Sequence, residues 1–106
     1  MDLITGGLYQ GQENYIKENY KSSFELLPFV CEYLKAGEDE TGILDKVFEK
    51  TKEAEAVLAV EIGAGMIPVD PLERELREIY GRTVCELSKR ADRVIRMVCG
   101  LTVVIK

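Results

Sequence analysis

The chain has 106 residues, 46% hydrophobic and 31% charged, with a net charge of −5 and no histidine. That length suits one domain spanning 1–106, and the acidic balance with scattered basic residues lacks the concentrated positive field that nucleic acid demands. No apolar run approaches the roughly 18 residues of a membrane span, so neither nucleic acid nor membrane is an expected partner.

The missing histidine removes the commonest general base and the commonest zinc ligand together. The N-terminus Met1-Asp2-Leu3-Ile4-Thr5-Gly6 has no basic n-region and no cleavable apolar core, so a cytoplasmic protein is expected. Cys31, Cys85 and Cys99 are far apart and without Cys-x-x-Cys spacing. They read as small buried apolar side chains in a reducing compartment.

Met1 to Thr5 forms a short strand candidate that ends at Gly6-Gly7. Residues from about Gly11 to Tyr20 follow as a helix with Tyr15, Ile16 and Tyr20 on one face. Ser22 or Ser23 is placed to cap a second helix running to Gly37, with Phe24, Leu27, Val30, Cys31 and Leu34 at helical spacing. Pro28 either lies early enough in that helix to be tolerated or belongs to its first turn. Gly37 to Gly42 reads as a polar loop, and Ile43, Leu44, Val47 and Phe48 mark a third helix.

Ala56-Val57-Leu58-Ala59-Val60 has the continuous apolar character of a buried parallel strand. Asp70 as N-cap, Pro71 at the first helical position and Glu73 as a capping-box partner start a fourth helix. Its inward face is Leu72, Leu76, Ile79, Tyr80, Thr83 and Leu87. Val94 to Cys99 and Leu101 to Ile105, separated by little more than Gly100, predict a tight antiparallel hairpin. The series describes an α/β sandwich with a mainly parallel sheet of about four strands.

Between the first strand and first helix stands Gly6-Gly7-Leu8-Tyr9-Gln10-Gly11-Gln12-Glu13. A P-loop has Gly, four residues, Gly-Lys and then Ser or Thr, so that backbone N–H groups cradle phosphate, the lysine reaches the β/γ-phosphates and the hydroxyl binds magnesium. Gly6 and Gly11 occupy the glycine positions, while Gln12 replaces the lysine and Glu13 the hydroxyl. Gln12 brings no charge, and Glu13 brings a negative one that suits a helix N-terminus but opposes a triphosphate. Direct ligation of magnesium by the Glu13 carboxylate is the other possibility. The loop reads either as a degenerate Walker A phosphate loop or as a plain strand-to-helix turn.

The other end of the chain carries Glu61-Ile62-Gly63-x-Gly65-x-Ile67-Pro68, then Asp70-Pro71-Leu72-Glu73-Arg74, Arg77-Glu78 and Gly81. It continues with Ala91-Asp92-Arg93-Val94 and Cys99-Gly100-Leu101. This series resembles the C-terminal part of the cobinamide kinase/cobinamide-phosphate guanylyltransferase family, nucleotide-dependent enzymes of cobalamin assembly. The resemblance implies a three-layer P-loop-like sandwich, shortened between about residue 20 and Val57. It implies a cofactor site at Gly6, Gly7, Gly11, Gln12, Glu13 and Glu61, and substrate contacts at Gly63, Gly65, Arg74 and Arg77.

Glu61 matches the glutamate of the family's Asn-Glu-Val-Gly-like segment, with Val60 in place of the asparagine; its other reading is a solvated residue at a strand end. Arg74 and Arg77 match two helix arginines of the family and read either as a phosphate clamp or as partners of Glu73, Glu75 and Glu78. Val84-Cys85 replaces the family's Asn-Gln pair. The histidine that carries GMP in the family's guanylyl transfer has no counterpart, so no catalytic residue and no metal ligand is assigned. The implied ligands are GTP or ATP with magnesium, or a cobinamide-like precursor; the altered loop equally allows no cofactor at all. A non-catalytic interaction protein is the alternative reading, partnered by a second copy or a full-length paralogue, with Tyr9, Tyr15 and Tyr20 as candidate contact residues.

Overall fold

The computed structural model describes residues 1–62 and 70–106. In chain order these form β1 (Asp2–Gly6), α1 (Gln12–Asn19), β2 (Ser23–Glu25), α2 (Leu26–Lys35), α3 (Glu40–Thr51), β3 (Ala56–Val60), α4 (Pro71–Arg90), β4 (Arg93–Val98) and β5 (Leu101–Val104). The sheet runs β2-β3-β1-β4-β5. Its first four strands are parallel, and β5 returns antiparallel to β4.

The period-2 alternation of the central strands builds two cores. Leu3 lies level with Val57 on one side and Val94 on the other, and all three turn to one face. There they meet Leu26, Val30 and Leu34 of α2, Ile43 and Val47 of α3, and Ile79, Tyr80 and Leu87 of α4. One residue on, Ile4 lies level with Leu58 and Ile95, and that row turns to the opposite face with Met97, under Ile16 of α1. The result is three layers, α2–α3–α4, sheet and α1.

The sheet has five strands where about four are expected, and the extra one is β2. Ser22 does not cap a helix. Its hydroxyl accepts the Glu55 N–H at 3.0 Å and its carbonyl accepts the Ala56 N–H at 3.2 Å, which aligns Ser23–Glu25 with the start of β3. Helix α2 therefore begins at Leu26 with Pro28 in its first turn, where a missing N–H costs no intrahelical bond. Helix α3 starts inside the expected loop, because the Asp39 side chain accepts the Gly42 N–H at 2.8 Å and caps it.

Helix α4 starts as its sequence predicts, with Pro71 first and the Asp70 carboxylate accepting the Leu72 N–H at 3.0 Å. Ile79, Tyr80, Thr83 and Leu87 are buried, whereas Leu72, at the outer end, is 42% exposed. Cys99 and Gly100 form the hairpin turn with φ of 52° and 79°, the pair of positive values that a two-residue type I′ turn needs. The cysteines are not the buried side chains expected: Cys99 is exposed because it sits in this turn, Cys85 is exposed on α4, and Cys31 is half-buried. Among the described residues no helix is long and apolar enough to cross a membrane.

Candidate functional site

Strands β1 and β3 are neighbours, yet their outgoing connections lead to helices on opposite faces, α1 and α4. Such a divergence opens a crevice at the carboxyl ends of the strands, where open α/β sheets hold ligands. The loop of residues 6–11 lies on one lip of this crevice and Glu61 on the other. The Glu61 N–H donates to the Gly6 carbonyl at 2.8 Å, which fixes one against the other.

Two glycines in the loop are required by its geometry. Gly6 has φ of 131°, and a Cβ there would stand 2.5 Å from the Met97 carbonyl oxygen and 3.0 Å from the Gln12 amide nitrogen. Gly11, the N-cap of α1, has φ of 98° and would place a Cβ 3.2 Å from the Gly100 Cα. The hairpin turn thus packs on the loop. The Gly100 N–H donates to the Gln10 carbonyl at 2.9 Å and the Cys99 N–H to the Gln10 side-chain oxygen at 2.8 Å.

Gln12 fills the inside of the loop. It is only 4% exposed, its Nε2 donates to the Gly7 carbonyl at 2.7 Å, and its Oε1 accepts the Gln10 N–H at 3.0 Å. An uncharged amide that donates at one end and accepts at the other can satisfy two loop groups simultaneously; a lysine could serve only the carbonyl. The Gln10 side chain adds a bond to the Leu8 carbonyl at 3.1 Å. The loop is closed by its own side chains.

Beside it lies an open cavity of about 310 Å³, bounded by Tyr9, Gln12, Glu13, Glu25, Leu58 and Val60 among others. It adjoins a second hollow of about 300 Å³ that shares Glu13, Glu25 and Leu58 and reaches Lys17. Glu13 comes from the first turn of α1 and Glu25 from the end of β2, so two carboxylates converge on an apolar floor. This arrangement does not fit a magnesium triphosphate, since among the described residues no cationic side chain lines the first cavity and Gln12 is committed to the loop. Exposed carboxylates over apolar carbon suit hydrogen-bond donors or a positive group instead.

Glu61 stands apart from that cavity. Arg96 of β4 grips it from across β1 with two parallel bonds, Nε to Oε1 at 2.7 Å and Nη2 to Oε2 at 3.1 Å. The Arg96 hydrogen bond holds the Glu61 carboxyl below the usual carboxylate range, against a smaller opposing effect of burial and with help from the Arg96 charge. Arg96 alternates with the α1-facing Ile95 and Met97, which puts this pair on the α4 face, away from Glu13 and Glu25. Arg74 is exposed and Arg77 half-buried on α4, and neither lines the cavities beside the loop. Gly63, Gly65 and Pro68 lie outside the described residues.

Residues 3–105 match the family model described as cobinamide kinase / cobinamide phosphate guanyltransferase. The chain belongs to that family. The match takes in nearly all of the chain, the loop at Gly6–Gly11 and the C-terminal hairpin included, whereas the sequence resemblance is strong only from Val57 onward. No curated protein matches the chain. Membership ties it to cobalamin biosynthesis.

Three residues escape the sequence reading. Glu25 reads as part of a helix there, and only the pairing of β2 with β3 brings it to the carboxyl edge. Gln10 looks like loop filler, although the repeat Gln10-x-Gln12 around Gly11 puts two donor–acceptor amides in one tight turn. Arg96 carries the faintest signal, a cation flanked by the apolar Ile95 and Met97 of β4.

Proposed function

We propose that this family member no longer handles a nucleoside triphosphate and serves instead as a binding protein for a polar, uncharged or cationic ligand. A corrinoid precursor is the class that the family name supplies. The observation that carries this reading is Gln12, whose buried amide spans the Gly7 carbonyl and the Gln10 N–H where a kinase needs a free cation. Glu13 and Glu25 would accept hydrogen bonds from one edge of the ligand, and Leu58 and Val60 would meet its carbon framework. Guanylyl transfer is excluded from the proposal because the chain has no histidine to carry GMP.

Calorimetric titration tests it. GTP and ATP, with or without magnesium, should give no heat up to millimolar concentration, while cobinamide should bind and weaken when Glu13 and Glu25 are both changed to glutamine. Micromolar, magnesium-dependent nucleotide binding by the native chain would overturn the proposal. If Gln12 and Glu13 are what excludes nucleotide, Q12K/E13T should gain measurable GTP affinity.

A further inference from the structure

The outer strand of the sheet offers a different kind of site. Leu101, Val103, Val104 and Ile105 are 71%, 49%, 62% and 61% exposed. Natural sheets protect an edge with charges, proline, bulges or a covering helix. Residues 101–105 contain no charge and no proline, and the pairing with β4 runs regularly from Val98↔Leu101 to Ile95↔Val104; a bulge, with the Ile105 and Lys106 N–H groups both on the Val94 carbonyl, comes only beyond it. The adjacent Lys106 does not guard the edge, because its Nζ turns back to the Ser88 and Lys89 carbonyls at 3.0 Å each.

The register fixes which backbone groups are free. Val98 and Leu101 flank a two-residue turn and so form a hydrogen-bonded pair, and alternation makes Arg96–Val103 the next such pair. The Ile105 N–H donating to the Val94 carbonyl at 2.8 Å fits this phase. Leu101 and Val103 therefore spend their N–H and C=O groups on β4, Ile105 gives its N–H to Val94, and Thr102 and Val104 aim theirs outward. Among the described residues nothing receives them.

We propose that β5 is a self-association edge, occupied by the β5 of a second copy of this chain running antiparallel about a two-fold axis at Val103. With Val103 opposite its own copy, Thr102 faces the second copy's Val104, and the two outward-pointing pairs exchange four backbone hydrogen bonds. On one face the row becomes Leu101 against Ile105, Val103 against Val103 and Ile105 against Leu101. Leu101, Val103 and Ile105 each meet an apolar side chain while Val104 meets Thr102, and no charge of either copy enters the seam although each copy carries −5. The two sheets join into one of ten strands, twice the five of each copy.

A five-residue seam buries well under the roughly 800 Å² per partner of a standard interface, so the dimer is weak and concentration-dependent, with Kd on the order of tens of micromolar. This inference is independent of the ligand proposed above. Sedimentation velocity from about 2 to 500 μM measures the association, over a range chosen to span such a Kd. The native chain should pass from monomer to dimer. V103K, which sets two lysines face to face on the axis, should weaken the dimer at least tenfold. V104P removes an outward N–H and no β4 bond, so it should have the same effect at unchanged circular dichroism. Y9K, a charge placed on the 94% exposed Tyr9 away from the edge, should dimerise normally. A native chain that stays monomeric throughout, a dimer that survives V103K and V104P, or one that Y9K abolishes would each overturn the proposal.

Discussion

The two faces of the sheet are built for different purposes. Beneath α2, α3 and α4 the sheet meets a continuous core in which Leu3, Leu26, Val30, Ile43, Val47, Val57 and Leu87 are fully buried. Beneath α1 a single eight-residue helix covers the opposite face, and both hollows beside the glycine loop open there. Stability is concentrated on the thick face, which leaves the thin face free to stay open at the carboxyl ends of β1, β2 and β3. The lesson is that a small α/β chain can keep an open cavity by leaving one layer incomplete, provided the other layer holds the sheet.

The sharpest way to break this comparison is at Gly6, where the faces meet. G6A forces a Cβ into 2.5 Å contact with the Met97 carbonyl and demands a positive φ from alanine. The cost should be about 4 kcal/mol in urea unfolding, combining backbone strain with overpacking. A near-neutral G6A would show that the loop can move away from β4.

Next come paired truncations. L26A on the thick face should cost about 3 kcal/mol, whereas I16A on the thin face should cost about 2, because Ile16 is packed on fewer sides and solvent can enter its vacancy. Equal losses would mean that α1 holds the sheet as firmly as the three helices opposite. A smaller effect is expected at Tyr80. Its hydroxyl donates to the Val60 carbonyl at 2.6 Å and ties α4 to the end of β3, while burial raises its pKa above the ordinary tyrosine value. Y80F should cost about 1 kcal/mol through the unmet carbonyl.

Much of the thick face was legible beforehand, since it is made of long-period signals. The Asp70-Pro71 start, the spacing of Ile79, Thr83 and Leu87, the apolar run at Ala56–Val60 and the two-residue C-terminal turn each carry their reason locally. The thin face was not, because its determinants are tertiary. Ser23-Phe24-Glu25 has no strand pattern of its own and becomes β2 only because β3 offers an edge, overriding a plausible helix cap. Gln12 could be placed at the lysine position by counting, but its inward amide follows from the loop's need to satisfy Gly7 and Gln10. Glu61 was placed correctly at the strand end, yet its partner Arg96 lies 35 residues away, two strands across.

That pair gives the smallest predicted effect and the cleanest sign. Both side chains are nearly half exposed, 42% for Glu61 and 46% for Arg96, so solvent screening keeps the pair's contribution small despite its two bonds. Arg96 lowers the folded-state pKa of Glu61 from 4.5, so the contribution is complete above the unfolded value and disappears as pH falls through the lowered one. The stability difference between the native chain and E61Q should therefore be flat at neutral pH and shrink on acidification below that value, and it should shrink again in high salt. If E61Q instead lost several-fold affinity for the ligand at the loop with no change in its pH profile, Glu61 would belong to the cavity, and the division of labour between the two faces would have to be redrawn.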